Sequence, residues 1–315
     1  MKRRDFVKYL AYTGLALGLP GCMSKPANPG AEAPPQNPLP AAQAQPVVKS
    51  FPELVVAEGT DYVSLIGKGL DAIGGIGRFV KSGNLVTVKP NFSVPRTIEE
   101  AATTNSLLVA ALVRQCLSAG AREVRVIDHT FTNGRICLER SGMYANVTAA
   151  GGKAYVINEH TPTFYSSVNI NGEILKTASY SRDVLDADVF INFPILKHHS
   201  GTRLTMGVKN LMGLVWDRRI FHSTNLNRTI AELAAFKQAH LNILDATRGI
   251  TNRGPMGPGD IKECNQVVFS TDMMAVDAYG SYLFGVDPAT IGHLTESVRL
   301  GLGSLDWQRL EMVKV

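Results

Sequence analysis

Hydrophobic and polar positions along residues 84–128 follow a strand, helix, strand order. Residues 84–89 (NLVTVK) alternate and are rich in β-branched side chains, which predicts a strand that ends at Pro90 and Asn91. Residues 104–119 have helical spacing before Gly120, and residues 123–128 (EVRVID) predict a second strand. This spacing is typical of a βαβ unit, so we expect parallel strands.

The same pattern recurs further along the chain. Three more strands are predicted, at residues 153–158, 188–195 and 242–245. Four more helices are predicted, at residues 135–150, 205–214, 225–239 and 273–284. Between them, Asn171-Gly172 lies among alternating residues 164–179, which predicts an antiparallel hairpin that forms a flap or an edge. We therefore expect an α/β domain with a mostly parallel sheet, helices on both faces and a small β-hairpin insertion.

Residues 1–22 have the pattern of an export signal: a basic start, an apolar run over residues 9–19 and a small residue before Cys22. The apolar run is too short to span a bilayer as a permanent helix. Residues 3–8 (RRDFVK) resemble the twin-arginine export motif, and residues 19–22 (LPGC) resemble a bacterial lipobox, whose cysteine becomes lipidated. A Sec signal with a chance arginine pair is the alternative.

Residues 23–50 predict a disordered tether, because seven prolines occur within residues 25–46 among Ala, Gln and Asn. A lipid anchor on Cys22 would then attach the protein to a membrane as an exported, periplasmic or cell-envelope lipoprotein. Residues 51–315 are expected to form a single domain. The alternative is a simple disordered start with cleavage inside it, for instance after Ala44.

Composition excludes several classes of protein. The 315 residues are 45% hydrophobic, which is enough for an ample core. The net charge of +5 falls to +2 from Cys22 onward, so no nucleic-acid surface is indicated. Beyond Cys22 only Cys116, Cys137 and Cys264 remain, in no C-x-x-C pair, so no iron-sulfur cluster is expected. The sequence leaves the identity of any other cofactor or metal open.

Polar residues follow or end several predicted strands. They are Lys89, Asn91, Asp128, His129, Asn192, Lys197 and Asp245. The carboxyl ends of parallel strands meet at one edge of a sheet, so these residues are expected to converge on one crevice. Any single one of them is better explained as a helix cap, but that explanation weakens for five or six together, which favour a binding site.

Lys197, His198 and His199 directly follow the apolar residues 188–196. Adjacent strand residues point to opposite faces, so the two histidines are not expected to hold one metal ion. Lys197 and His199 share a face, which would pair an ammonium with an imidazole for anion binding and proton transfer. An ordinary polar contact of the histidine is the alternative, and it carries equal weight.

Residues 201–213 predict a short helix with Thr202 at its start, whose N-terminal amides would face the crevice and suit an anion. Lys209 and Asn210 would either reach back into the site or be solvated. Asp277 lies inside an otherwise apolar helix and is therefore expected to point into the site.

Two further segments are candidates for the rim of the site. Residues 254–259 (GPMGPG) form a rigid Gly/Pro loop, which is interpreted as a lid over the crevice. Arg218, Arg219 and His222 lie in a polar stretch that would clamp an anion, although a surface loop is the more common meaning of such a stretch.

The chain resembles the domain of unknown function 362 family through a series of segments in the same order. They are VKPNF (88–92), VID (126–128), DADVFINFPILKHH (186–199), VKNLMG (208–213), LNILDATRG (241–249), GPMGPG (254–259) and MAVDAYG (274–280). The family pattern has Lys-Thr-His at the position of Lys197 to His199, so His198 replaces a threonine. The resemblance implies an α/β domain and brings no established reaction.

The same resemblance bears on cofactors. Many members of the family carry an added ferredoxin-like cysteine module, which this chain lacks, so the cluster is not carried over. The strand, histidine and lysine arrangement is also distantly similar to the nickel-pincer lactate racemase family, at the level of fold alone.

These observations predict an exported α/β protein with a crevice that binds, or acts on, a small anionic molecule or cofactor. His199 would be the acid or base, with Lys197 as an anion contact and Asp128 or Asp277 as the orienting carboxylate. The expected cofactor-binding residues are Lys89, Asn91, Asn192, Thr202, Lys209, Asn210, Asp245 and Asp277. The alternatives are a non-catalytic metal or ligand carrier and an accessory protein of a redox system. Whether the protein is an enzyme stays open.

Overall fold

The fold is known from a computed structural model that describes residues 50–158 and 162–315. The predicted export signal and nearly all of the predicted tether lie outside the described residues. The strands are β1 Leu54–Glu58, β2 Leu85–Pro90, β3 Glu123–Asp128, β4 Lys153–Val156, β5 Tyr165–Asn169, β6 Thr177–Ser181, β7 Val189–Phe193, β8 Lys197–His199, β9 Arg203–Thr205, β10 Leu241–Ile250, β11 Ile261–Ser270 and β12 Met312–Lys314. The α-helices are α1 Tyr62–Ala72, α2 Ser106–Ser118, α3 Gly134–Arg140, α4 Met143–Ala149, α5 Arg182–Leu185, α6 Gly207–Asn210, α7 Arg219–Ser223, α8 Leu226–Phe236, α9 Met273–Leu283 and α10 Gly292–Arg299.

Eight strands form one mixed sheet in the order β12-β1-β11-β10-β7-β2-β3-β4. The run from β10 through β7, β2 and β3 to β4 is parallel throughout. Strand β11 is antiparallel to both of its neighbours, β10 and β1. The predicted α/β class with a mostly parallel sheet is confirmed. The carboxyl ends of β7, β2 and β3 lie side by side at the centre of this parallel run.

Alternation along the strands divides the core into two layers. In β1, Val55 packs in one apolar cluster with helices α1, α2 and α4, whereas its neighbour Val56 packs in the other with α8, α9 and α10. A strand with apolar residues on both faces must be covered on both sides, as is usual for parallel sheets. Helices therefore cover both faces, as predicted, and the strand ends are the polar part of the layered structure.

The predicted hairpin is present as a separate two-stranded sheet of β5 and β6. Its loop is longer than the two residues expected from Asn171-Gly172, since the last strand pair is Asn169 with Thr177. The buried carboxylate of Glu232 on α8 accepts backbone N–H bonds from Glu173, Ile174 and Leu175 in this loop. Backbone bonds also continue past the last strand pair as far as Gly172 and Leu175, so Glu232 holds the tip of the hairpin at residues 173–175 against α8.

Two predicted helices differ from the structure. The helix predicted at 135–150 is two helices, because Gly142 adopts a left-handed conformation with φ of 69° between them. The helix predicted at 205–214 begins only at Gly207 and continues as a 3₁₀ turn over Leu211–Leu214. Residues 197–205 instead form the β8–β9 hairpin, in which Arg203 has a positive φ of 63°.

No helix among the described residues combines the length and apolarity needed to cross a membrane.

Candidate functional site

The site begins with a buried ion pair at the ends of two neighbouring strands. Lys89 near the end of β2 and Asp128 at the end of β3 are 2.8 Å apart, and each side chain is only 1% exposed. The Asp128 carboxylate also accepts the backbone N–H groups of Phe92 and His129. Burial lowers the pKa of the Lys89 amine, and Asp128 opposes that shift. Because its carboxylate already accepts two backbone N–H groups and pairs with Lys89, Asp128 serves to position Lys89.

Amide side chains extend this network toward helix α6. Asn210 donates to the Lys89 carbonyl and to Asn192 Oδ1, at 3.0 and 2.9 Å. Its own Oδ1 accepts from Lys89 Nζ and from Asn91 Nδ2. Asn192 lies on β7 in register with Lys89, and its Nδ2 donates to the carbonyl of Gly207. These buried amides fix the end of β2 against α6, so the site is rigid on this side.

Lys197 is held by three oxygen acceptors. Its Nζ donates to Asn91 Oδ1, the Ala102 carbonyl and the Pro255 carbonyl, at 3.0, 2.6 and 3.3 Å. An ammonium group has three donors, so all of them are occupied. Burial lowers the pKa of Lys197 to about 7, and Lys209 and Lys89 add to that shift while Asp128 opposes it. Lys197 is therefore fixed in position beside the cavity, and its charge depends on pH near neutrality.

His199 is held in one tautomer. Its Nδ1 lies 3.0 Å from the backbone nitrogen of Gly201, which can only donate, so the proton of the neutral ring is on Nε2. Burial lowers the pKa of His199 to about 3, with Lys209 and Lys197 as further causes. His198 points elsewhere, since its Nδ1 accepts the N–H of Gly254. The two adjacent histidines thus serve different parts of the structure, as strand geometry predicted.

Lys209 differs from the other two buried lysines. Its Nζ lies 3.6 Å from the Met212 sulfur, and no carboxylate pairs with it in the part of the chain that the structure describes. Burial lowers the pKa of Lys209 to about 8, helped by the charges of Arg218 and Lys89. A buried amine with so few acceptors is the group of this site with the most capacity to accept a ligand.

These groups line one cavity of about 230 Å³, which we call the inner cavity. Its lining comprises Lys89, Asn91, Ser93, Asp128, His129, Phe131, Lys197, His199, Thr205, Lys209, Asn210, Met212, Gly213, Arg218, His222 and Pro255. Three lysines line it against a single carboxylate, and Lys89 already neutralises that carboxylate. The inner cavity therefore carries an excess of positive charge.

Seven of the eleven predicted site residues line the inner cavity. They are Lys89, Asn91, Asp128, Lys197, His199, Lys209 and Asn210. Neither Asp128 nor Asp277 forms a hydrogen bond with His199 among the described residues, so the expected orienting carboxylate of His199 is replaced by the Gly201 N–H. The structure therefore brings these seven residues together at the strand ends.

The other four predicted residues have structural partners away from the inner cavity. Asp277 accepts the N–H groups of Gly207 and Val208 and so caps α6, while burial raises its pKa to about 7. Asp245 accepts from Asn105 and Thr247. The remaining two are Asn192, which joins the amide network, and Thr202, which donates to the carbonyl of Leu204.

The predictions for Thr202, Asp245 and Asp277 as ligand contacts are therefore not supported by the geometry. Thr202 was placed at a helix start that is in fact the turn of the β8–β9 hairpin. Asp245 is predicted because it ends a strand and Asp277 because it lies inside an apolar helix, but backbone N–H groups satisfy both carboxylates.

Sequence reasoning left several cavity residues out of the predicted site. Arg218 and His222 were assigned mainly to a surface loop, and His129 was noted only as a polar strand end. Arg218 donates to the carbonyl of Thr130 and covers the Phe131 ring at 4.7 Å. The cluster of cationic residues after VKNLMG could have indicated this part of the site. These residues are far from the strand ends in the sequence, so the sequence alone does not indicate their contact with the cavity.

The loop at residues 254–259 forms a wall of the inner cavity through Pro255. Arg96 donates to the carbonyls of Met256 and Gly257, and Lys197 donates to that of Pro255. The segment interpreted as a lid is thus bonded to the strand-end region from two sides.

Among residues 50–158 and 162–315, no three His, Cys, Asp or Glu side chains are grouped so that they could hold a metal ion.

Comparison with known proteins agrees with the segments recognised in the sequence. The family model for a domain of unknown function, DUF362, matches residues 86–282, which includes every strand that contributes to the inner cavity. The chain belongs to the DUF362 family. A thylakoid-associated protein of Synechocystis sp. is 30% identical over 241 residues, which cover 74% of this chain and 73% of that protein.

A structural comparison finds the lactate racemase apoprotein of Thermoanaerobacterium thermosaccharolyticum, with a TM-score of 0.49 and 11% sequence identity. The match covers 72% of this chain and just over half, 56%, of that protein. DUF362 membership and the α/β fold are compatible with a ligand-binding protein.

Proposed function

We propose that this DUF362 protein binds a small anionic molecule, such as a phosphate or carboxylate compound, in the inner cavity. The observation that carries the proposal is the excess of positive charge among buried amines: Lys197 and Lys209 line the cavity beyond the neutralised Lys89 and Asp128 pair. Burying uncompensated charge is costly, so a site of this kind is complete when an anion occupies it.

Three groups would contact the anion. Lys209 supplies a charged donor with few protein acceptors, and Arg218 supplies a guanidinium suited to two oxygens of a phosphate or carboxylate. His199 supplies its Nε2–H as a neutral donor, because its Nδ1 already accepts from Gly201. Lys197, with all three donors occupied, contributes its charge through space.

The state of His199 favours ligand binding over acid–base catalysis in the unliganded protein. A pKa of about 3 leaves the imidazole neutral and weakly basic at pH 7. A bound anion would offset the repulsion from Lys209 and Lys197 and so raise that pKa. A proton-transfer role is therefore the second candidate function, and it applies only to the liganded site.

Titration calorimetry with inorganic phosphate and with acetate tests the binding proposal. Replacing Lys209 with Met removes the charge while keeping the length of the side chain, and we expect at least a tenfold loss of affinity. The matched control is Lys68→Met, a substitution at an exposed lysine of α1 away from the cavity. Equal affinities of both variants and the unchanged protein would overturn the proposal, as would absence of binding by either probe.

We also propose that the protein is exported and tethered to a membrane through a lipid on Cys22. The lipobox-like residues 19–22 support this proposal, and the relative named as thylakoid-associated is compatible with a membrane location. In cell fractionation, Cys22→Ala should move the protein from the membrane fraction to the soluble one. An unchanged distribution would argue against a lipid anchor.

A further inference from the structure

A second cavity of about 730 Å³, which we call the outer cavity, adjoins the inner one. Its lining comprises His129, Thr130, Phe131, Thr132, Asn133, Gly134, Arg135, Leu138, Glu139, Tyr144, Val156 and Asn158. His129 and Phe131 line both cavities, so the two are neighbours at the end of β3.

The chemistry of the outer cavity contrasts with that of the inner one. Phe131, Leu138, Tyr144 and Val156 give it apolar walls, and its two charged residues, Arg135 and Glu139, pair with each other at 2.8 Å. Phe131 and Tyr144 are 49% and 56% exposed, and Arg218 covers one face of the Phe131 ring. Two such rings suit the flat face of a planar group.

The volumes of the two cavities also bear on the size of the ligand. Ligand pockets are usually about 300–1,000 Å³, and the inner cavity lies below that range at about 230 Å³. The outer cavity brings the combined space to the size of a larger organic ligand. A third cavity also shares Phe131, Arg218 and His222 with the inner one, but its lining has fewer apolar residues, with Phe131 and Trp216 against four apolar residues in the outer cavity.

We propose that the outer cavity binds the uncharged, planar ring of the same ligand whose anionic group occupies the inner cavity. This inference rests on the proposed anion site and defines its ligand class as an aryl phosphate or aryl carboxylate. Phe131 would hold the ring at the junction, where the Arg218 guanidinium covers its other face. Tyr144 would contact the far side of the ring from helix α4.

Paired probes test the inference. Phenyl phosphate should bind about tenfold more tightly than inorganic phosphate, and benzoate should exceed acetate similarly, because a stacked ring adds roughly that factor. Tyr144→Ala should remove most of the gain for the ring-bearing probes and leave inorganic phosphate unchanged. The matched control is Tyr282→Ala, since Tyr282 is equally exposed at 57% and lines a different cavity.

The outcomes separate this inference from the binding proposal. If inorganic phosphate binds through Lys209 and the ring adds nothing, or if Tyr144→Ala and Tyr282→Ala behave alike, the outer-cavity assignment is wrong and the anion site stands. If neither inorganic phosphate nor the ring-bearing probes bind, both assignments are wrong. A gain that depends on Tyr144 and not on Tyr282 supports the inference.

Discussion

At the scale of single residues, the three buried lysines of the inner cavity differ in the acceptors that hold them. Lys89 and Lys197 are predicted at strand ends and Lys209 either in the site or solvated, and all three line the inner cavity. Their different states depend on acceptors far away in sequence: Asp128 for Lys89, and Ala102 with Pro255 for Lys197. Residue spacing does not indicate these contacts, so Lys197 was predicted as the working lysine although Lys209 has the fewest acceptors.

Gly213 offers a direct test of how tightly the ion pair is packed. A Cβ at this position would lie 2.6 Å from Asp128 Oδ1 and 2.7 Å from Lys89 Cε. We expect Gly213→Ala to displace the ion pair, reduce phosphate affinity at least tenfold and lower the free energy of unfolding by about 1–3 kcal/mol. Urea unfolding and calorimetry measure the two effects.

The control for this substitution is Gly67→Ala on helix α1, where an added Cβ has no neighbour within 4 Å. There the change should stabilise the protein by about 0.5–1 kcal/mol, since alanine favours helix more than glycine does. A harmless Gly213→Ala would show that the wall of the inner cavity is more adaptable than its contacts indicate.

Lys209 also predicts the pH dependence of anion binding. Its pKa of about 8 lies below the ordinary value of 10.5 because of burial, so the amine is charged below pH 8 and loses its proton above it. A bound anion favours the charged form. Affinity should therefore fall as pH rises above 8, approaching tenfold per pH unit for one linked proton.

Sulfate is the suitable probe for this measurement, because it keeps one charge state between pH 6 and pH 10. In Lys209→Met the fall in sulfate affinity near pH 8 should disappear, while any weaker change from Lys197, whose pKa is about 7, should remain. A profile that is the same in both proteins would assign the titration to another group.

At the scale of elements, Glu232 on α8 joins a helix to the β5–β6 hairpin. It is buried, and it accepts three successive backbone N–H groups of the loop as well as Arg228 Nε. Glu232→Ala would leave those donors unpaired, and we expect a loss of about 2–4 kcal/mol in the free energy of unfolding. Glu232→Gln keeps one acceptor oxygen and should lose less.

Hydrogen exchange at Glu173, Ile174 and Leu175 provides the local measurement, and it should accelerate in Glu232→Ala. Glu263→Ala is the control, because that exposed carboxylate is 3.8 Å from Arg248 and such surface pairs contribute about 0–1 kcal/mol. Similar losses in both variants would show that the loop is held by something other than Glu232.

Elements were predicted correctly where the spacing of apolar residues fits one kind of element. They were missed where the apolar pattern is short or fits both a helix and a strand. Strand β3 was predicted with its observed bounds, and helices α2, α8 and α9 nearly so, because their apolar spacing reports burial against the sheet. The β8–β9 hairpin was missed, since its apolar residues also fit a helical pattern. Strand β11 was missed as well, because its first half is largely polar and exposed and leaves only a short apolar run, at residues 267–269.

At the scale of the whole molecule, ligand binding should raise the free energy of unfolding. The anion offsets repulsion between positive charges that lie close together only in the folded state. At a phosphate concentration of 100 times Kd, mass action adds about 2.7 kcal/mol to the free energy of unfolding. For a folded region of this size, that corresponds to a rise of about 5–10 °C in Tm. Differential scanning calorimetry gives the shift directly.

Phosphate also stabilises folded proteins in general by exclusion from their surfaces, so the comparison must remove that effect. Lys209→Met experiences the same general effect but lacks the principal anion contact, and its Tm should rise by only a small part of the shift seen in the unchanged protein. The difference between the two proteins, measured at equal phosphate concentrations, therefore isolates occupancy of the inner cavity. Equal shifts would mean that phosphate stabilises the fold without entering that cavity.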